Sequence, residues 1–134
     1  MADTAHYVVK GVIDALKANG AVTAIVGTRI YADVPQGTTF PYIAVSVSTQ
    51  PFATGSFSGC DHTVKIQVFS RKDGLLEASQ ARAAAHAVLD RNESGVTLGS
   101  GTLSLLQYSG TSAVFKEDDG VTWQAVSEFQ ALVS

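Results

Sequence analysis

The sequence predicts an α+β fold, an antiparallel β-sheet with two α-helices packed on one face, completed by long loops and a hairpin. Three observations lead there. Ala5, Val8, Val9, Val12, Ile13 and Leu16 form a single apolar stripe at helical spacing. Segments 42–50, 63–70 and 121–132 alternate apolar and polar residues, as half-buried strands do. Strand-like segments also follow one another through short turn signals, which favours antiparallel pairing. The predicted order is helix, strand, strand, strand, helix, strand, strand, in one domain spanning 1–134.

The first helix can be capped by Asp3 or Thr4 and is stopped by Asn19-Gly20, since glycine accepts the left-handed conformation beyond a helix end. One further helical turn fits 21–26, closed by Gly27. Residues 29–33 read as a short strand, and Pro35-Gln36-Gly37 as a turn. Pro41 holds Phe40 extended. In 42–50, Ile43, Val45 and Val47 share one face. Segment 52–60 is rich in Gly, Ser and Thr and is expected to be a mobile loop, ordered only on assembly. In 63–70, Val64, Ile66 and Val68 point inward. Asp73 is a candidate cap for an alanine-rich helix over 74–91, whose small side chains permit close packing on a sheet or a neighbouring subunit. A Gly/Ser-containing connector (94–101) leads to strand pieces at 103–108 and 112–116. Glu117-Asp118-Asp119-Gly120 suits a hairpin turn. In the last strand Val121, Trp123, Ala125, Phe129 and Ala131 are expected on one face.

Composition narrows the function classes. The chain has 134 residues, 46% hydrophobic and 16% charged, enough for one core without covalent staples. Nine basic against twelve acidic residues give a net charge of −3, which disfavours a dedicated DNA-binding surface. Cys60 is the only cysteine, so neither an intrachain disulfide nor a paired-cysteine zinc motif is available. No signal peptide or membrane span is expected, and the Asn92-Glu93-Ser94 sequon is read as chance.

Candidate chemistry is sparse. On a strand, Cys60 and His62 would project to the same side, but a structural zinc site needs four ligands and only His6 and His86 remain as imidazole donors. Both are expected on a surface loop. His86 reads as a partly exposed packing residue and Trp123 as core. Gly55-Ser56-Phe57-Ser58-Gly59 has Phe where a nucleophile elbow needs serine. Gly99-Ser100-Gly101 lacks the Lys-Ser/Thr pair of a phosphate loop, and Glu117-Asp118-Asp119 lacks the alternating ligands of a calcium loop. No catalytic, metal or cofactor site is predicted. The competing reading is a small α+β enzyme or ligand-binding module using Cys60, His62 or His86.

One arrangement is more specific. After the first helix and the segment 22–27 comes Arg29-Ile30-Tyr31-Ala32-Asp33-Val34-Pro35-Gln36-Gly37. Phe40-Pro41-Tyr42-Ile43-Ala44-Val45 follows, then Val64-Lys65-Ile66-Gln67-Val68-Phe69-Ser70, and then a helix carrying Glu77-Ala78. This order resembles the tail-completion (tail-terminator) proteins of long-tailed, siphovirus-like phages and gene transfer agents, with Ile30 at a position where the family pattern has Val. The resemblance is strongest over 29–91.

The resemblance implies a non-enzymatic virion protein without cofactor, assembled in the bacterial cytoplasm. It implies a homo-oligomer, a hexameric ring, at the head-proximal end of the tail tube. The partners implied are the tail tube protein and a head-neck stopper or connector, with DNA passing through the channel without specific binding and no membrane contact. Another neck protein of the same particle is a close variant of this reading. The candidate assembly residues are Phe52, Gly55, Phe57 and Gly59 in the 52–60 segment, with Pro35, Gly37 and Phe40 before the second strand.

Overall fold

The computed structural model describes residues 3–54, 57–72 and 75–134. The elements run α1 (Ala5–Lys17), α2 (Gly20–Val26), β1 (Ile30–Tyr31), β2 (Tyr42–Thr54), β3 (Phe57–Ser70), α3 (Leu76–Leu89), a 3-10 turn (Glu93–Gly95), β4 (Leu103–Lys116) and β5 (Trp123–Val133). The five strands form one sheet in the order β1-β2-β3-β5-β4. Only β1 pairs in parallel, through Ile30 with Ile43 and Tyr31 with Ala44; every other pairing is antiparallel.

One core joins the helices to one face of the sheet. Val8, Val12 and Leu16 of α1, Val22 and Val26 of α2, and Ala78, Ala81, Ala85 and Leu89 of α3 pack against Ile43, Val45, Val64, Ile66, Val68, Ala125, Phe129 and Ala131. Alternation explains the one-sidedness, because successive residues of a strand point to opposite faces. The alanines Ala78, Ala81 and Ala85 of α3 are buried against the sheet, as their small side chains suggested.

Several expectations need correction. There are three helices rather than two. Asn19 does more than stop α1: its side chain accepts hydrogen bonds from the Ala21 and Val22 amides and so starts α2. Thr4 does not cap α1, because its hydroxyl is spent on His62; Asp3 accepts from the Ala5 amide instead. The proposed cap Asp73 lies outside the described residues. Helix α3 ends at Leu89, where the Asp90 carboxylate turns to the Tyr108 amide and Arg91 adopts a left-handed φ of 58°.

The largest difference is segment 52–60. It is not a loop, since β2 and β3 form one long hairpin whose pairing runs from Tyr42–Phe69 through Phe52–Gly59 to Thr54–Phe57. Gly55 and Ser56, between Thr54 and Phe57 in the sequence, lie outside the described residues. Gly59 is needed within β3 because a Cβ there would collide with the Val133 carbonyl oxygen of β5. The pieces 103–108 and 112–116 are likewise one strand, β4, with register shifts between Leu103 and Leu105 and between Tyr108 and Ser112. Val121 precedes β5 and is 55% exposed, so it does not share the buried face of Ala125, Phe129 and Ala131.

Candidate assembly surfaces

The candidate assembly residues fall at opposite ends of the sheet. Phe52 and Gly59 pair with each other near the hairpin tip. Phe57 opens β3 beside them, and Gly55 is outside the described residues. Pro35, Gly37 and Phe40 lie before Tyr42, the first residue of β2. Ten steps of extended strand separate Tyr42, just after Phe40, from Phe52, roughly 33 Å at the rise of a β-strand. They are two surfaces and not one patch.

At the second end, Pro35, Gln36, Gly37, Phe40, Tyr42 and Arg71 line a shallow groove. Gly37 has φ 79°, which the turn requires. Phe40 is held in a ladder of rings, 5.1 Å from Tyr42, which stacks 5.0 Å from Phe69. The Arg71 guanidinium lies 4.3 Å above the Phe40 ring, a cation–π contact. Arg71 also donates to Thr122 Oγ1 and reaches Asp119 at 3.8 Å. Hydrogen bonds from the Thr122 hydroxyl and from the Val121 and Thr122 amides hold the Asp119 carboxyl down at about 2. Residues 117–122 therefore form a fixed, acidic turn, as the Asp-Gly signal suggested.

This end also carries exposed apolar side chains that sequence reasoning did not place on an assembly surface. Leu76 is 65% exposed at the start of α3, next to exposed Leu75, and Val121 and Phe115 are exposed at the ends of the adjoining strands. Ser70 pairs with Trp123 and Trp123 with Lys116, which brings these segments to one end of the sheet. The available signal was that Leu76 falls off the buried stripe Ala78, Ala81, Ala85, Val88 and Leu89.

The helix-free face of the sheet is polar along its middle and apolar toward its ends, where Tyr42 and Phe69 lie at one end and Leu105 and Leu132 at the other. Asp61 of β3, Gln130 of β5 and Gln107 of β4 form a hydrogen-bonded string across three strands. Ser46, Ser48 and Gln50 of β2 are exposed on the same side. Lys65 stands opposite Glu128 in the ladder.

The residues of the competing enzyme reading are structural. Cys60 and His62 do share a side of β3, as alternation required, but both are buried and neither is on a surface loop. His62 Nε2 lies 2.8 Å from Thr4 Oγ1 and Nδ1 lies 2.9 Å from Thr49 Oγ1, so the imidazole ties the start of α1 to β2 and β3. Burial lowers the His62 pKa, opposed by the Asp3 and Asp61 charges. A fully enclosed imidazole satisfied at both nitrogens is placed to brace the fold, not to meet a substrate. His86 packs edge-on to Tyr108 and tilted against Phe129, with Asp90 at 3.5 Å. Among the described residues no group of three or more His, Cys, Asp or Glu is placed to hold a metal, and no helix is long and apolar enough to cross a membrane.

Comparison with known proteins agrees with this architecture. A chain of a structure described as "Virion of native gene transfer agent (GTA) particle" superposes with a TM-score of 0.88 at 22% identity, covering 99% of this chain and 98% of that chain. At that identity the match speaks for the fold. No curated protein sequence matches. The family model described as Tail completion protein gp17 matches residues 10–134. The chain therefore belongs to the tail completion protein family, and it is a structural protein of a virion tail, not an enzyme.

Proposed function

We propose that the protein is the subunit of a closed ring, a hexamer, at the head-proximal end of a phage-like tail tube. There it stops tube polymerisation and joins the tail to the head-neck stopper or connector while DNA passes through. The observation that carries this reading is the family match over 10–134. A ring of identical subunits requires a heterologous interface whose rotation closes, so opposite sides of each subunit must be complementary. A terminator must also present different surfaces to the tube and to the neck. The two dissimilar ends of the sheet meet that requirement: a β-hairpin tip bearing Phe52, Phe57 and Gly59, and an end bearing Pro35, Gly37 and Phe40 beside exposed Leu76 and Val121.

The helix-free face suits a passage for DNA. Lys and Arg would grip phosphates through counterion release and slow sliding. On this face the basic side chains are few and each has a polar or acidic neighbour: Lys65 stands opposite Glu128, and Arg91 donates to Gln107. Imaging of native particles carrying a labelled copy tests the placement. Label in a ring at the head-proximal end of the tail is expected; a single copy, or label in the capsid shell, rejects the reading. Assembled rings titrated with duplex DNA at physiological salt should bind weakly, and tight binding with a steep salt dependence would reject the sliding passage.

A further inference from the structure

Edge strands expose unpaired backbone groups, and proteins usually blunt them with charges, bulges, brevity or cover. The two edges of this sheet differ in that respect. Strand β1 covers only Ile43 and Ala44 of β2, and beyond Ala44 no strand neighbours the outer side of β2 among the described residues. The 13 residues of β2, Tyr42–Thr54, include no charged side chain, and the pairing with β3 runs without a register shift. The Ile43 amide donates outward to the Arg29 carbonyl. Backbone direction alternates along an antiparallel pair, so Val45, Val47 and Thr49 also aim their N–H and C=O groups outward. Pro51 falls in the same series, where its missing donor leaves the β2–β3 ladder intact.

The opposite edge is β4. Its outer side is covered at Leu106 by the Arg91 amide and at Tyr108 by the Asp90 carboxylate. Beyond the register shift after Tyr108, the stretch reaching Ala113 and Phe115 has no neighbouring strand among the described residues. Across the order β2-β3-β5-β4 each step is antiparallel, so β4 runs opposite to β2. Two copies placed side by side in the same orientation would therefore bring β4 of one against β2 of the next in antiparallel pairing. Lys116, at its end, is the only charged residue of β4, so no like charges oppose the contact.

We propose that the outer edge of β2 at Val45, Val47 and Thr49 is a strand-addition site for a second copy of this chain, filled by the open part of that copy's β4. Repeated around an axis, the contact is head-to-tail, the type a closed ring needs. The proposal rests on the ring reading above and specifies how the ring is joined.

Ser48 of β2 and Ala113 of β4 are exposed on the same face of the sheet, so both can be replaced without entering the core. Intact particles carrying Ser48→Cys and Ala113→Cys are treated with a maleimide cross-linker that spans a diagonal cross-strand pair, roughly 7–8 Å. A ladder of covalent multiples reaching the full ring is expected. A ring seen by imaging but giving no cross-links overturns the strand addition alone. Images with no ring overturn the ring reading and the proposal together. A dimer, and nothing larger, from Ser48→Cys alone shows symmetric β2–β2 pairing and overturns the head-to-tail contact. A second variant, Ser46→Lys with Ser48→Lys, places two charges beside the edge and should fold with an unchanged melting temperature while being lost from particles. Normal incorporation of that variant overturns the proposal.

Discussion

Replacing Gly59 with alanine tests the close approach of β5 to β3 at the end of the sheet. The new methyl would press on the Val133 carbonyl oxygen, with Ser134 Cα 3.1 Å away on the same side. These are backbone atoms, and the Ser134 amide and carbonyl are themselves bonded to Thr102, so the end of β5 cannot swing aside freely. Overpacking of this kind costs about 1–3 kcal/mol. The smaller entropy of unfolded alanine returns about 0.4–1 kcal/mol. The net is a loss of about 1–2 kcal/mol, or a melting temperature lower by about 3–8 °C in a domain of this size. Gly20→Ala is the control: it opens α2, nothing lies within 4 Å of an added Cβ, and it should stabilise by about 0.5–1 kcal/mol. Urea and thermal unfolding of both variants measure the difference. If Gly59→Ala is as stable as the parent, or both glycines respond alike, β5 does not close over Gly59 and the hairpin is not anchored there.

Thr4→Val keeps the shape of a buried residue but leaves His62 Nε2 without its partner, and should cost about 1–3 kcal/mol in urea unfolding. His62 is also expected to make the fold acid-sensitive. Burial depresses its folded pKa below the ordinary 6.5, so the unfolded chain binds the extra proton. The stability it contributes is present above 6.5 and declines as pH falls through 6.5 toward the folded value; denaturation midpoints that decline equally in His62→Gln would contradict this. Asp119, held near 2 against a usual 3.8, contributes stability that persists above 3.8 and is lost between 3.8 and 2. Asp119→Asn should remove that acid step and lower stability at neutral pH toward the level the parent reaches in acid, as read by denaturation followed by circular dichroism. Leu76→Asp and Val121→Asp should leave the unfolding free energy within ~0.5 kcal/mol of the parent, as exposed positions do, yet reduce incorporation into particles. Normal incorporation would remove that end from the assembly surface.

Much of the fold was legible because one side of the sheet is dry. Val64, Ile66 and Val68 had to alternate with Lys65 and Gln67, and a single-residue slip would have inverted them. Segment 52–60 was misread because its own residues carry little strand preference. Its conformation is set by pairing with itself across the β2–β3 hairpin and, at its end, by β5, whose Val133 pairs with Cys60 and closes over Gly59. The same misreading put His62 on a surface loop, although the alternation ran unbroken from Val64 back to Cys60. Helix α2 was visible only as a turn, since seven residues show little periodicity and its real signal is the Asn19 cap. The separation of the candidate assembly residues could not be read locally, because their distance is set by the length of β2.

The alternating aim of the β2 backbone has a spectroscopic consequence. In the unassembled chain the amides of Val45, Val47 and Thr49 should exchange with deuterated water within the ordinary time of an open edge, while those of Ala44, Ser46 and Ser48 are retained by their bonds to β3. The strand is thus a residue-by-residue recorder, with every second position sensitive to what lies beside it. If another chain adds there, the fast positions become slow and the slow ones hardly change, so the alternation itself disappears. If α1 or the hairpin instead opens as a unit, neighbouring positions speed up together. One set of exchange rates over six consecutive amides therefore separates docking from unfolding, without a label and without knowledge of the partner.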